Sequence, residues 1–246
     1  MERVSEKDIE WLLKPKQDFG LKPELREEKV QKLSLKRKAI RIGLWALLIL
    51  ALTIVPFFIL IKTSIYLDIG QGLNEWVALM GGISVTVFIL LLYVIMLFRN
   101  VKNKKLLFRF GIGGVGALVA GFCLYGLLYL SSVNAKSDSV KEVYRSLHPI
   151  LRVAVATTTL AENELVITDI KRTAEDYAKM GLPANQSSLH FPQEDGYVRA
   201  IDLRTKGHSE FRNFLLSSSL RVMGFNTLRH VGTADHLHVS LPNSVN

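Results

Sequence analysis

Three stretches of this chain are free of charge for the length of a membrane crossing: IGLWALLILALTIVPFFILI over 42–61, WVALMGGISVTVFILLLYVIMLF over 76–98 and FGIGGVGALVAGFCLYGLLYL over 110–130. Each meets the roughly 20 residues that a helix rising about 1.5 Å per residue needs to cross about 30 Å of hydrocarbon. A soluble helix of that length keeps a polar stripe, and none of the three runs has one. The pattern therefore predicts three transmembrane helices. A charge-rich segment precedes the first run and no small-residue cleavage pattern follows it, so that run is expected to stay as a signal anchor. The lone cysteine, Cys123, lies inside the third run, which leaves no intrachain disulfide and no reading of compartment from cysteines.

The net charge of +9 matters less than where the cations sit. Lys29, Lys32, Lys36, Arg37, Lys38 and Arg41 precede the first span, and Arg99, Lys102, Lys104, Lys105 and Arg109 separate the second from the third. The loop between spans one and two has only Lys62, offset by Asp68 and Glu75. Lysine and arginine are retained on the cytoplasmic side, so the expected protein is multi-pass in the cytoplasmic membrane, with a cytoplasmic basic segment over 1–41 and an extracytoplasmic or periplasmic carboxy-terminal domain. Within 1–41, Ser5 and Asp8 suit a helix start, and Ile9, Leu12 and Leu13 a short apolar stripe. No interleaved aromatics or recognition motif accompany the charge, so the bilayer is the expected partner and nucleic acid is not.

Gly111, Gly113 and Gly116 have the G-x-G-x-x-G spacing of a dinucleotide-binding turn. That turn needs a preceding strand, an amphipathic helix after it and an acidic residue downstream. Here a basic loop precedes it and an apolar span follows. The glycines, with Gly81, Gly82 and Ser84 of the second span, are expected instead to permit close helix packing, within the chain or in a homo-oligomer.

After the third span comes a polar juncture, SSVNAKSDSV, read as a short linker between a membrane domain at 42–131 and a domain at 136–246. The expected elements are helices near 139–147, 149–161, 172–180 and 209–223, and strands at Leu165–Thr168, Val198–Leu203 and Leu237–Leu241. Pro149 suits a first helical turn, and Gly181 before Pro183 a helix end. The fold class is three transmembrane α-helices followed by an α+β domain with a small antiparallel sheet.

Three stretches of this domain carry candidate chemistry: Ser187-Ser188-Leu189-His190, Ala200-Ile201-Asp202-Leu203 and Asp235-His236-Leu237-His238-Val239. Asp202 lies on an otherwise apolar strand, where an unpaired carboxylate is costly. It can be a structural acid paired with Arg199 or Arg204, or a ligand. Strand alternation places His236 and His238 on one face. Asp235 shares the face of Leu237 and Val239 if the strand begins with it, and is otherwise free to turn towards His238. Two imidazoles and a carboxylate are the usual shell of catalytic zinc, with a fourth position left for water.

From Leu147 to Leu241 the chain resembles the zinc peptidases of bacterial cell walls, the D-alanyl-D-alanine carboxypeptidase and L-alanyl-D-glutamate endopeptidase superfamily with the hedgehog-type fold. Leu147-His148-Pro149 is similar to the opening of its endolysin-like branch, and Val166-Ile167-Thr168-Asp169 with Lys171-Arg172-Thr173 to its strand and Arg-Thr segment. Ser188-x-His190, Gly196, Ala200 and Asp202 resemble its S-x-H-x-x-G-x-A-x-D, and Asp235-x-x-His238 its closing acid-x-x-H. The eleven residues between His190 and Asp202 exceed the family spacing, with FPQED inserted before Gly196 and extra positions before Ala200. A loop insertion costs little entropy if its ends stay fixed.

The resemblance implies a membrane-anchored enzyme cutting a peptidoglycan stem peptide. His190, Asp202 and His238 would hold Zn²⁺, and Asp235 would act as general base. Arg172 would stabilise an oxyanion or a substrate carboxylate, and His236 would assist beside the metal. Two other readings are an inactive domain of this fold that binds wall peptide or a protein partner, and a structural membrane or envelope protein.

Overall fold

The computed structural model describes residues 23–100, 103–179, 181, 183–232 and 235–243. The short helix start expected around Ser5 and Asp8 lies outside the described residues. Two compact units divide the chain, Met1–Leu52 and Thr53–Asn246. In the first, the described residues are helical and their apolar side chains, such as Trp45 and Leu47, are exposed. That helix, α1, runs over Pro23–Ile65, and a π-helical turn at Tyr66–Gly70 closes it. Helices α2 (Glu75–Leu97) and α3 (Lys104–Leu128) follow. All three runs are thus helices long and apolar enough to cross a membrane.

Small residues let α1 and α2 approach. A Cβ on Gly82 would overlap Ser64 Oγ and the Leu60 carbonyl, and Thr86 Oγ1 donates to the Pro56 carbonyl at 3.2 Å. The third span shows one such approach within the chain. Gly111 faces Val94, whereas a Cβ on Gly113, Gly114, Gly116 or Gly121 would meet no described atom within 4 Å.

The carboxy-terminal domain is built from α4 (Asp138–Glu142), α5 (Pro149–Ala161), α6 (Ala174–Lys179) and α7 (Glu210–Met223), with strands β1 (Ile167–Asp169), β2 (Ala200–Arg204), β3 (Asn226–His230) and β4 (His236–Ser240). The sheet is antiparallel throughout in the order β1-β2-β4-β3. Ile201 and Leu203 lie opposite Val239 and Leu237 and are buried. Period-two alternation then sends Ala200, Asp202 and Arg204, with their partners Ser240, His238 and His236, to the other face.

The juncture expected as a linker is instead part of the fold. Asn134 is buried and its side-chain amide donates to the carbonyls of Asn163 and Leu165, while Ala135 bridges to Ile167. Helix α5 is a buried layer between α3 and the sheet: Leu151, Ala154 and Val155 all belong to one core with Leu60, Val119, Ile201 and Val239. The last carbonyls of any helix lack an intrahelical donor. In α3 the domain supplies two of them: Tyr144 Oη donates to the Gly126 carbonyl at 2.7 Å, and Arg152 Nη1 to the Leu127 carbonyl at 2.7 Å. The Arg152 guanidinium also stands 5.9 Å from the Trp76 ring and 6.0 Å from that of Tyr197. Satisfying buried carbonyls with a cation and a phenol fixes the domain on the helix ends far more firmly than a tether would.

A candidate metal centre

Sheet register places the first pair of the site. Asp202 on β2 and His238 on β4 are directly opposed, so their side chains rise side by side from the same face. His238 Nδ1 lies 2.9 Å from Asp202 Oδ1. The third member comes from the loop after α6. Arg172 N–H donates to the His190 carbonyl at 2.9 Å and Arg199 N–H to the Leu189 carbonyl at 2.9 Å, pinning that loop beside β1 and β2.

The loop between His190 and Asp202 folds on itself. Gln193 N–H donates to the Tyr197 carbonyl at 2.9 Å and Gly196 N–H to the Gln193 carbonyl at 2.8 Å, with Gly196 at φ +79°. Asp195 closes the turn by accepting from Tyr197 N–H and Arg199 Nη2. This turn takes up the residues between the two, so His190 reaches Asp202 across the eleven-residue separation.

His190 Nε2 stands 3.2 Å from His238 Nδ1 and 3.3 Å from Asp202 Oδ1. In a tetrahedral site with metal-to-donor distances near 2.0 Å, neighbouring donors lie roughly 3.3 Å apart, so the three edges of this triangle match a face of such a tetrahedron. The His190 tautomer fits as well. Its Nδ1 lies 2.8 Å from the Ile170 carbonyl, and a carbonyl can only accept. Nδ1 therefore carries a proton and Nε2 is the nitrogen turned towards the trio, the orienting bond that metal-ligating histidines use. His190, Asp202 and His238 can hold a metal ion, and among the described residues no fourth His, Cys, Asp or Glu joins them. His190 and Asp202 are buried while His238 keeps about a quarter of its side chain exposed, so the site opens to solvent on the His238 side.

Burial alone would raise the Asp202 carboxyl. Hydrogen bonds to His190 and His238, together with the charges of His190 and His236, outweigh it and hold the group well below the usual carboxylate range. Asp202 is therefore anionic, as a ligand must be. Its second oxygen, Oδ2, accepts from Arg172 Nη2 at 3.0 Å, and Arg172 Nε donates to Asp169 Oδ2 at 2.6 Å. Asp169 and Asp202 are cross-strand neighbours, so Arg172 lies between two like charges. The cation beside Asp202 is Arg172, and not Arg199, which pairs with Asp195.

The remaining sequence candidates are placed less directly. His236 is on the trio's face of β4, with Nε2 3.8 Å from Asp202 Oδ2 and its ring stacked on His230 at 4.7 Å. Asp235 precedes the strand and is not among the three converging donors. Its carboxylate accepts from Thr205 Oγ1 at 2.5 Å and from Arg229 Nη2 at 3.0 Å. Those bonds from Arg229 and Thr205 lower its pKa. Arg229 lies opposite Leu237 and so belongs to the sheet face away from His238, where it also pairs with Glu210 of α7. Arg229 and Glu210 are the residues that the sequence did not bring to attention. Comparison with protein-family models, with curated proteins and with solved structures finds no match, and on that ground the chain is assigned to no family.

Proposed function

We propose that the protein is a membrane-anchored, zinc-dependent peptidase acting on peptidoglycan stem peptides. The convergence of His190 Nε2, Asp202 Oδ1 and His238 Nδ1 within 3.3 Å of one another carries the reading, because two neutral imidazoles and one carboxylate with an open side are a catalytic zinc shell. Zinc bound there supplies polarisation of the scissile carbonyl and a water acidified towards neutrality. The resemblance to the wall peptidases supports a peptidoglycan substrate, and the basic flanks of the first and third spans support an outer position for the domain, where that substrate is.

The residues of the chain then divide the work. His190 and His238 donate lone pairs, and Asp202 donates one oxygen while Arg172 holds the other. Asp235, three residues before His238, takes the proton of the attacking water and returns it to the leaving amine. To do so it exchanges its bonds with Arg229 and Thr205 for the open side of the trio. His236, already on that face, is placed to donate to the developing oxyanion.

The Asp235–Arg229 pair favours a second reading, in which the domain binds metal and wall peptide without cutting it. Digestion of purified muropeptides by the full chain in detergent separates the two. The peptidase reading expects release of a stem-peptide fragment that stops on chelation and resumes with zinc, and intact muropeptide with zinc bound leaves the binding module.

A further inference from the structure

Helix α7 has two apolar faces. Leu216, Leu220 and Met223 point into the core, while Phe211, Phe214, Leu215 and Val222 form a second stripe at helical spacing that is exposed, Phe211 by 70 % and Phe214 by 65 %. Glu210 and Arg221 border that stripe on one side and Arg212 on the other. Ser218 lies within the stripe, and an exposed aromatic cluster of this kind marks a surface that something apolar covers.

Phe211 and Leu215 of the stripe line a groove of about 680 Å³ together with Leu160 of α5, Ile54 and Phe57 of α1 and Phe122 of α3, and Phe214 and Val222 continue the stripe outside it. The Phe57 and Phe122 rings meet edge to face at 4.7 Å. Those α1 and α3 residues belong to the membrane-crossing helices. Counting back from Lys62 and from the end of α3, they lie roughly 7 to 12 Å inside the apolar runs at about 1.5 Å per residue. The side chains of α7 that share the groove therefore border the apolar runs. At the lip the polarity changes, as Glu162 accepts from Arg212 Nε at 2.7 Å and Arg212 Nη1 reaches Glu164 at 3.1 Å.

We propose that acyl chains of the bilayer lipids fill this groove, and that α7 is an interfacial helix with Phe211, Phe214, Leu215 and Val222 immersed in the leaflet beside the domain. An apolar interior under a charged lip reproduces the polarity profile of a membrane interface. The domain is then seated in the bilayer surface by α7 as well as by the α3 helix end. This does not depend on the metal centre.

The test uses the full chain in phospholipid nanodiscs, with Cys123→Ala and a single spin label at 214, at Lys206 as an aqueous reference, or at Leu118 as a reference within the span. A label at 214 should favour collision with oxygen over a nickel chelate several-fold more than the one at 206, and approach the one at 118. A label at 214 that matches 206 while 118 stays in hydrocarbon overturns the proposal and leaves the spans standing. Shielding at 214 from both quenchers with spin–spin broadening also overturns it, in favour of a second copy on this face. Phe214→Trp in the chain with its native cysteine gives an independent check. Its added emission should be quenched by acyl-brominated phosphatidylcholine, and lack of quenching overturns the proposal.

Discussion

Arg172 Nη2 holds Asp202 Oδ2 at 3.0 Å, and the other oxygen of the same carboxylate faces His238 Nδ1 at 2.9 Å. One side chain thus fixes which oxygen is offered to a metal. Arg172 also separates Asp202 from Asp169, its cross-strand neighbour. Arg172→Ala should weaken zinc affinity by roughly 10- to 100-fold, the usual effect of losing a residue that orients a ligand, while the fold persists. Competition with a chromophoric chelator measures it. Equal affinity in variant and parent would remove Arg172 from the site.

Asp235→Asn should keep zinc, since the carboxylate is not among the converging donors, and lower muropeptide turnover by about 10² to 10⁴ as expected for loss of a general base. Rates for Asp235→Asn and His236→Gln, each normalised to bound zinc, decide the assignment. Full activity in the first with loss in the second transfers the base to His236.

The contact between α3 and α5 depends on a missing side chain. A Cβ added at Gly126 would stand 2.7 Å from Ala156 Cβ, closer than packed carbons allow. Gly126→Val should therefore destabilise the full chain by about 1 to 3 kcal/mol, the usual cost of overpacking. Thermal unfolding in detergent reads this out. An unchanged midpoint would mean that the domain is not seated on α3 as described.

His148 sits at the start of α5, fully buried, with Nε2 3.4 Å from Asp68 Oδ2 but in no hydrogen bond with it. Burial pushes the imidazole down to about 3, helped by Arg199 and Arg152 and opposed by Asp195. The unfolded chain binds a proton here below about pH 6.5 and the folded one does not. Stability is therefore complete above that pH and falls as pH drops towards 3, by about 1.4 kcal/mol per pH unit for this one group. The acid limbs of the full chain and of His148→Gln, followed by unfolding between pH 7 and pH 4, should differ by this slope, the variant's being the shallower. An identical slope in the variant would assign the acid limb to other groups.

Periodic and capping signals made most of the elements legible in the sequence. The three apolar runs are helices, Pro149 opens α5, and Ser209 caps α7 by accepting from Arg212 N–H. The trio was legible because His190, Asp202 and His238 follow one another in the order of the motifs they resemble, although the first spacing exceeds the pattern. Strand β3 was not, since Asn226–His230 is an edge strand whose residues alternate between exposed and half-buried with no apolar face to betray it. The partners that decide side-chain roles were equally hidden. Arg172 reaches Asp202 and Tyr144 reaches Gly126 across long sequence separations, and no local pattern encodes them. Asp235 shows the same limit: its spacing from His238 reads as a catalytic acid, while its bonds are set by Arg229 and Thr205.

The most direct test of the metal centre is the zinc content of the full chain, purified in detergent and dialysed against zinc-free buffer, beside His190→Ala, Asp202→Ala and His238→Ala. Three ligands with one open position should retain about one zinc per chain in the parent. Each variant should lose most of it while keeping its helical signal. Zinc absent from the parent, or retained equally in all three variants, would contradict a metal site at His190, Asp202 and His238.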